Sequence, residues 1–162
     1  MFEKFGEFDS AEEINRAALA QLQEGDVEAI KTIALENGLD IEDVEDFCTG
    51  AIEELTTPCL AAIGKLNIEA QDLELSGMLD DWKNYLIEMC TEDEEMSSAV
   101  RKKGKELREV LGRILKTSFE IKIKLDDRIV RAADLKPPVY IGIPGKAQIR
   151  EIVRKYYLGE KK

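Results

Sequence analysis

The chain has 162 residues, of which 44% are hydrophobic and 35% are charged, and its formal net charge is −11. The hydrophobic fraction argues against an intrinsically disordered chain, and about 150 residues are enough to bury a core without a disulfide or a metal ion. The chain has no histidine, which excludes every catalytic triad that uses histidine and removes the commonest metal ligand.

Three short helices are predicted in the first part of the chain. Ser10 and Glu13 form a capping box, and Asp26 and Asp40 can cap the second and third helices. Apolar residues follow each of these caps at helical spacing. We therefore expect residues 1–56 to form an acidic module of short helices.

Further helices are predicted in residues 57–162. Thr57-Pro58 is typical of an N-cap followed by the first helical residue, where proline is tolerated. Apolar residues at spacings of three and four then predict a core helix around Trp82 and a long helix near 103–119. Between them, a short helix is expected to start at a capping box formed by Thr91.

A change from helical to alternating spacing predicts a small β insertion. Apolar residues and lysines alternate over residues 121–125, which is the two-residue pattern of a half-buried strand. Residues 128–131 could return as a second strand, residues 139–141 are expected to be extended, and a last helix follows Pro144-Gly145. The predicted fold class is mainly α (α+β), a helical domain with a small β-hairpin-like insertion near 120–143.

The charges are divided unequally along the chain. Residues 1–97 contain 26 acidic and 5 basic side chains, a balance of −21, whereas residues 98–162 contain 8 and 18, a balance of +10. Charge distributions of this kind steer association with charged partners. The composition therefore favours an interaction protein over an enzyme.

No motif predicts a catalytic, cofactor-binding or metal site. Residues 142–146 lack the spacing of a phosphate-binding loop, and residues 40–45 lack the glycine and the central acid of a calcium loop. Cys48, Cys59 and Cys90 form no CxxC pair and are expected to act as small buried hydrophobes. We predict a non-enzymatic protein that has no cofactor.

The sequence predicts a cytoplasmic protein with reduced cysteines and no membrane partner. Its N-terminal residues have neither the cationic start nor the apolar run of a signal peptide. No stretch approaches the roughly 18 apolar residues of a membrane span. An exposed amphipathic helix could also support a homo-oligomer.

Two groups of carboxylates form a predicted acidic surface that could face a protein partner. The first group is expected on the third helix, opposite its apolar side, and the second at the short helix that follows Thr91. Such a surface repels nucleic acid and attracts basic proteins over about one Debye length. It could instead dock on the basic half of this chain or serve solubility alone. Its members are Glu42, Glu45, Asp46, Glu53, Glu92, Asp93, Glu94 and Glu95.

A basic stripe on the predicted long helix is the second candidate surface. Arg101, Lys105, Arg108 and Lys116 fall on one side of that helix, beside its apolar face, so their charges are expected to point outward. The basic stripe could follow a nucleic-acid backbone or contact a partner. The alternative is a solvated face whose cations pair with glutamates of the same helix.

A set of patterned segments marks the second half of the chain: Trp82–Leu86, Thr91–Glu94, Lys103 with the helix after it, Ile143-Pro144, and Val153 with Tyr156-Tyr157. Together they resemble the PcfK-like family, which comprises small proteins encoded on conjugative plasmids and integrative elements of Firmicutes. The resemblance covers about residues 78–158 and implies that residues 57–162 form a helical PcfK-like region with a β insertion. Residues 1–70 have no counterpart in the short family members, and residues 120–140 look inserted.

The resemblance implies a function by binding. Some relatives in this family are reported as anti-CRISPR proteins that inhibit the type II CRISPR effector nuclease, and the family supplies no catalytic residue. It implies a non-enzymatic anti-CRISPR protein of a mobile genetic element, which binds the effector nuclease or its guide-RNA complex through charged surfaces. The alternative is an accessory DNA-binding protein of conjugative transfer that acts through the basic stripe.

Overall fold

The computed structural model describes residues 3–159, and within them the chain is mainly helical, with nine helices and one two-stranded antiparallel sheet. The predicted fold class is confirmed. The chain divides into two compact units, one ending at Arg108 and the other beginning at Glu109. The elements are α1 (Ala11–Glu24), α2 (Val27–Glu36), α3 (Ile41–Thr49), α4 (Pro58–Asp72), α5 (Met78–Glu92), α6 (Glu94–Arg101), α7 (Leu107–Glu120), β1 (Ile123–Lys124), α8 (Asp127–Ala132), β2 (Tyr140–Ile141) and α9 (Lys146–Leu158).

Local capping signals start the first three helices. The side chains of Ser10, Asp26 and Asp40 each accept a hydrogen bond from a backbone N–H in the first turn of α1, α2 and α3, as predicted. The apolar sides of these helices pack into one core, which also takes in a residue of α4. Its buried members are Ala11, Ile14, Ala18, Ile30, Ile33, Ala34, Leu39, Val44, Phe47, Leu55 and Ala61.

The predicted module boundary between residues 56 and 57 lies inside the first unit. Asn15 Nδ2 donates to the carbonyl oxygen of Thr56 at 2.9 Å, and Asn15 Oδ1 accepts from the Thr56 N–H at 2.9 Å. Thr57 caps α4 and Pro58 is its first helical residue, both as predicted. Thr56 and Thr57, the residues on either side of the predicted boundary, therefore both bind other residues of the first unit.

α4 crosses the turn between α2 and α3 with backbone against backbone. A Cβ added to Gly64 would come closer than 3.0 Å to the carbonyl oxygen of Asn37, and one added to Gly38 would come closer than 3.0 Å to that of Gly64. Gly38 also has a φ of 66°, in the left-handed region that favours glycine. Because α4 packs in turn against α5 and α6, this contact ties the first three helices to the next three.

Two predicted helix boundaries differ from the structure. α3 ends at Thr49 because Gly50 adopts a left-handed φ of 79°, so the prediction that Glu53 lies on this helix is wrong. α6 is capped by Asp93 rather than Thr91, since Asp93 Oδ1 accepts hydrogen bonds of 2.9 and 3.3 Å from two N–H groups of the first turn. A carboxylate can accept both bonds and is favoured at the positive end of a helix, which explains the later start.

The predicted long helix near 103–119 begins later, at Leu107. α6 ends at Arg101, and Gly104 in the connecting turn has a left-handed φ of 78°. The Leu107 N–H, the first of α7, donates to Glu69 Oε2 at 3.3 Å. A side chain distant in sequence therefore helps to set where α7 starts.

The second unit contains the sheet and the last helix. β1 and β2 pair antiparallel with Ile123 opposite Ile141. The predicted return strand at 128–131 is wrong, because these residues belong to α8, whose first turn is capped by the Asp126 carboxylate. The extended segment that includes β2 and the start of α9 after Gly145 are both as predicted.

Candidate partner-binding surfaces

Three carboxylates of the predicted acidic surface lie together on α3. Glu42, Glu45 and Asp46 are exposed, and their spacing places them on neighbouring rows of the helix. Glu42 lies in the first turn, where the helix dipole favours a negative charge. Among residues 3–159, no lysine or arginine nitrogen lies within 4.0 Å of their carboxylate oxygens. Glu53 is also exposed, in the segment after α3.

The second group of predicted carboxylates lies where α5 ends and α6 begins. Glu92 is the last residue of α5, and Glu94 and Glu95 are in the first turn of α6; all three are exposed. Asp93 between them is half-buried, and its carboxylate is used to cap α6. Asp93 therefore has a structural role, whereas its three neighbours face solvent.

The predicted basic stripe does not lie on one helix. Arg101 is the last residue of α6, Lys105 lies in the turn after it, and only Arg108 and Lys116 belong to α7. Arg108 and Lys116 are exposed, and Arg108 pairs with Glu106. The expected outward orientation of Arg101 is wrong, because its side chain is buried with 0% exposure.

A buried polar cluster in the first unit holds Arg101. Its Nη2 donates to Asn37 Oδ1 at 2.6 Å. Lys65 of α4 is likewise 0% exposed, and its Nζ pairs with a Glu7 carboxylate oxygen at 2.9 Å and donates to the carbonyl oxygen of Lys102 at 2.8 Å. Charges that lose their hydration in this way require such partners. The buried polar cluster comprises Glu7, Asn37, Lys65, Glu69 and Arg101.

One sequence signal for this cluster is present in α4. Lys65 and Glu69 are four residues apart and lie among the buried apolar residues of that helix. Lysine and glutamate are almost never fully buried unless they are paired, so charged residues at core positions of a helix indicate an internal ion pair. Arg101 has no such signal, because its spacing from Lys105 also fits an exposed row.

Glu69 titrates near neutral pH. Burial raises the pKa of its carboxyl to about 7 from an ordinary value of 4.5. The charge of Lys65 and the hydrogen bond from the Leu107 N–H oppose this rise in pKa, whereas the charges of Glu7 and Glu106 add to it. The protonation of the buried polar cluster therefore changes within the physiological range of pH.

Replacing Glu69 with glutamine is expected to flatten the pH dependence of stability. Because the pKa of Glu69 is raised in the folded state, its carboxyl contributes fully to the free energy of unfolding below about pH 4.5. This contribution is lost as the pH rises to about 7. Across this window the wild-type protein should lose about 3 kcal/mol of unfolding free energy that Glu69→Gln retains.

Urea titrations between about pH 5 and 8 measure this difference. Asp72→Asn removes an exposed carboxylate from the same helix and should keep the wild-type slope. If the free energy of unfolding of Glu69→Gln depends on pH as strongly as that of the wild type, another group is responsible for the pH dependence.

A cationic groove lies between α7 and α9 in the second unit. The Arg113 guanidinium lies 5.0 Å from the centroid of the Tyr156 ring, which positions it by a cation–π contact. No carboxylate of residues 3–159 lies within 4.0 Å of the side-chain nitrogens of Arg113, Lys116 or Lys155. Sequence reasoning missed Arg113 and Lys155, because it does not show which two helices pack together. The groove has a volume of about 340 Å³ and is lined by Arg113, Lys116, Thr117, Glu120, Ile152 and Lys155.

The Cys90 thiol is buried, and the thiols of Cys48 and Cys59 are half-buried. Burial raises the pKa of the Cys90 thiol to about 12, so this thiol stays protonated at neutral pH.

Within residues 3–159, no three acidic or cysteine side chains are grouped so that they could hold a metal ion. In the same range, no helix is both long and apolar enough to cross a membrane. The exposed charges of α3 and of the cationic groove are the candidates for contact with a partner.

No protein-family model matches the chain, no curated protein is similar to it, and no solved structure matches its fold.

Proposed function

We propose that this chain is a non-enzymatic anti-CRISPR protein of a mobile genetic element, which inhibits a type II CRISPR effector nuclease by direct binding. The observation that carries the proposal is the exposed group of carboxylates on α3, formed by Glu42, Glu45 and Asp46. The resemblance of the second half of the chain to the PcfK-like family supports the choice of partner.

The charge of the effector suits such a surface. A type II effector holds its guide RNA and target strand in a positively charged channel. Carboxylates on neighbouring rows of one helix can pair with lysine and arginine side chains that would otherwise contact phosphates. The first unit has 27 acidic and 10 basic side chains, a balance of −17. Its attraction extends over about 8 Å at physiological ionic strength, so binding should weaken as salt is added.

Reversing the charge of Glu42 and Asp46 together is expected to weaken binding to the effector–guide-RNA complex by about tenfold or more. Both side chains are exposed, so the Glu42→Lys/Asp46→Lys protein should remain folded. The matched control is Asp72→Lys/Asp81→Lys, which changes the net charge equally at exposed positions on α4 and α5. This control should bind as the wild type does.

Surface-immobilised effector complex gives the affinity, and cleavage of a target DNA gives the inhibition. Equal weakening by both double variants would mean that net charge alone matters and that the α3 carboxylates have no specific role. Failure of the wild-type protein to bind the effector complex would overturn the proposal.

The cationic groove favours a second function, that of an accessory DNA-binding protein of conjugative transfer. Arg113, Lys116 and Lys155 could neutralise neighbouring phosphates, and the second unit has 13 basic and 7 acidic side chains. In that case Lys116→Glu/Lys155→Glu should abolish DNA retention in a gel-shift assay, and the α3 double variant should retain DNA normally. DNA retention that survives the groove variant would exclude this function for the groove.

A further inference from the structure

A groove of about 410 Å³ lies between α2 and α3 in the first unit. One wall is Val27 of α2, which is 39% exposed, and the other is Ile41 of α3, which is 40% exposed. Val44 of α3 also lines the groove and is 1% exposed. Apolar surface on two different helices is therefore open to solvent in one place. The lining residues are Val27, Lys31, Ile41, Val44, Glu45, Cys48 and Thr49.

Val27 of α2 is open to solvent at the edge of the core side of this helix. A surface helix needs one apolar side, which faces the core. Val27 lies seven residues before the buried Ala34 and therefore borders that side, yet it is 39% exposed. Single exposed apolar residues are ordinary, but a contiguous apolar surface with a polar rim is typical of an interaction site. The core side of α2 carries Ala29, Ile30, Ile33 and Ala34.

Two charged side chains line this α2–α3 groove, Glu45 of α3 and Lys31 of α2. The charge of Lys31 is already paired, because its Nζ lies 2.8 Å from a Glu28 carboxylate oxygen. Glu45 lines the groove, and Glu42 and Asp46 lie on the next row of α3. A segment that enters the groove would therefore meet apolar side chains inside and carboxylates at the edge.

We propose that the α2–α3 groove binds an amphipathic helix of the protein partner, with apolar side chains between α2 and α3 and lysine or arginine over the carboxylates of α3. This inference rests on the proposed function, in which α3 faces the partner. Helices that bind in grooves use apolar anchors three and four residues apart, and the groove volume is within the range of known ligand sites. Charge complementarity selects a cationic helix, because Glu42, Glu45 and Asp46 would repel nucleic acid or an acidic helix.

Two synthetic peptides of identical composition and charge test the proposal. In the first, leucines recur at every third and fourth position and lysines and arginines occupy the other side. In the second, the leucines are distributed around the helix, so the peptide has no apolar side. By fluorescence anisotropy, the full-length chain should bind the first peptide about tenfold more tightly than the second.

Cys48 reports whether a bound peptide occupies the groove. Its thiol is half-buried and lines the groove, whereas Cys90 is buried. In full-length Cys59→Ser protein, a maleimide reagent therefore reports on Cys48. The first peptide should slow the modification of Cys48 by about tenfold at saturation, because it covers the thiol, and the second should leave the rate unchanged.

A matched pair of variants separates the groove from other exposed apolar surface. Ile41 and Leu60 are 40% and 46% exposed and lie in the first turns of α3 and α4. A carboxylate is tolerated at both positions, because the helix dipole favours negative charge there. Ile41→Asp should weaken binding of the first peptide by about tenfold, and Leu60→Asp should leave it unchanged.

Three results would overturn the groove proposal: equal binding of the two peptides, no protection of Cys48, or equal loss of binding in Ile41→Asp and Leu60→Asp.

Other results distinguish a failure of the groove proposal from a failure of the proposed function. If the effector is inhibited by Ile41→Asp but not by Glu42→Lys/Asp46→Lys, the acidic surface acts without the groove. If the first peptide protects Cys48 but the effector complex is not bound, the groove proposal stands and the anti-CRISPR function does not.

Discussion

Replacing Arg101 with alanine is expected to lower the free energy of unfolding of the first unit by about 3–5 kcal/mol. The side chain is 0% exposed, and its Nη2 donates a 2.6 Å hydrogen bond to Asn37 Oδ1. Burial lowers the pKa of Arg101, and the charges of Glu7 and Glu69 act in the opposite direction. Truncation would remove the cation that these carboxylates face and leave a cavity, and both effects destabilise a folded chain.

Trp82 makes this loss measurable. It is the single tryptophan of the chain and is buried in α5 of the first unit. Its fluorescence during urea denaturation should show a much lower midpoint for Arg101→Ala. Arg108→Ala is the matched control, because Arg108 is exposed and pairs only at the surface with Glu106; it should change stability by less than about 0.5 kcal/mol.

An unchanged midpoint in Arg101→Ala would contradict the stabilising role of the buried polar cluster. If the midpoint falls as expected, a loss of partner binding in any Arg101 variant reflects unfolding. Arg108 and Lys116 are then the members of the predicted basic stripe that can be tested for contact with nucleic acid.

Replacing Gly64 with alanine is expected to destabilise the first unit by about 2–3 kcal/mol, although alanine is the better helix former. The gain in helix propensity is about 1 kcal/mol. Against it, the new Cβ would lie closer than 3.0 Å to the carbonyl oxygen of Asn37. Because this atom belongs to the backbone, it cannot rotate away as the end of a flexible side chain can, and α4 must shift.

Gly112→Ala makes the same substitution in α7, where an added Cβ meets no atom within 4 Å apart from the backbone of its own helix and its chain neighbours. At Gly112 only the gain in helix propensity remains, so the free energy of unfolding should rise by about 0.5–1 kcal/mol. Thermal unfolding followed by circular dichroism, together with Trp82 fluorescence for Gly64→Ala, measures both changes. Equal and small effects would show that the contact between α4 and the α2–α3 turn can relax without loss.

The helix starts that depend on neighbouring residues could be predicted from the sequence. Ser10, Asp26 and Thr57 each cap a helix through an N–H only three residues away, so the signal and its effect lie in the same short segment. The start of α6 at Asp93 was missed because Thr91 and Asp93 compete for one role over the same few residues, and propensity alone does not rank them.

The boundaries and burial that depend on distant residues could not be predicted. Leu107 begins α7 where its N–H meets a carboxylate 38 residues earlier, and Arg101 is bound by an amide 64 residues away. A helical spacing of three and four describes one side of a helix but not what that side meets. The same limit hid the α2–α3 groove, because Val27 and Ile41 acquire their common surface only when the two helices pack.

The contact between Gly38 and Gly64 has a consequence for how this chain can vary. When a core residue becomes larger, a neighbour that becomes smaller can often restore the volume. Neither position can do this for the other, because both already carry the smallest residue and each faces a backbone carbonyl oxygen. Variation can therefore proceed on the exposed sides of α2, α3 and α4, where partner specificity would be tuned, while the crossing that holds these helices together has no substitution open to it.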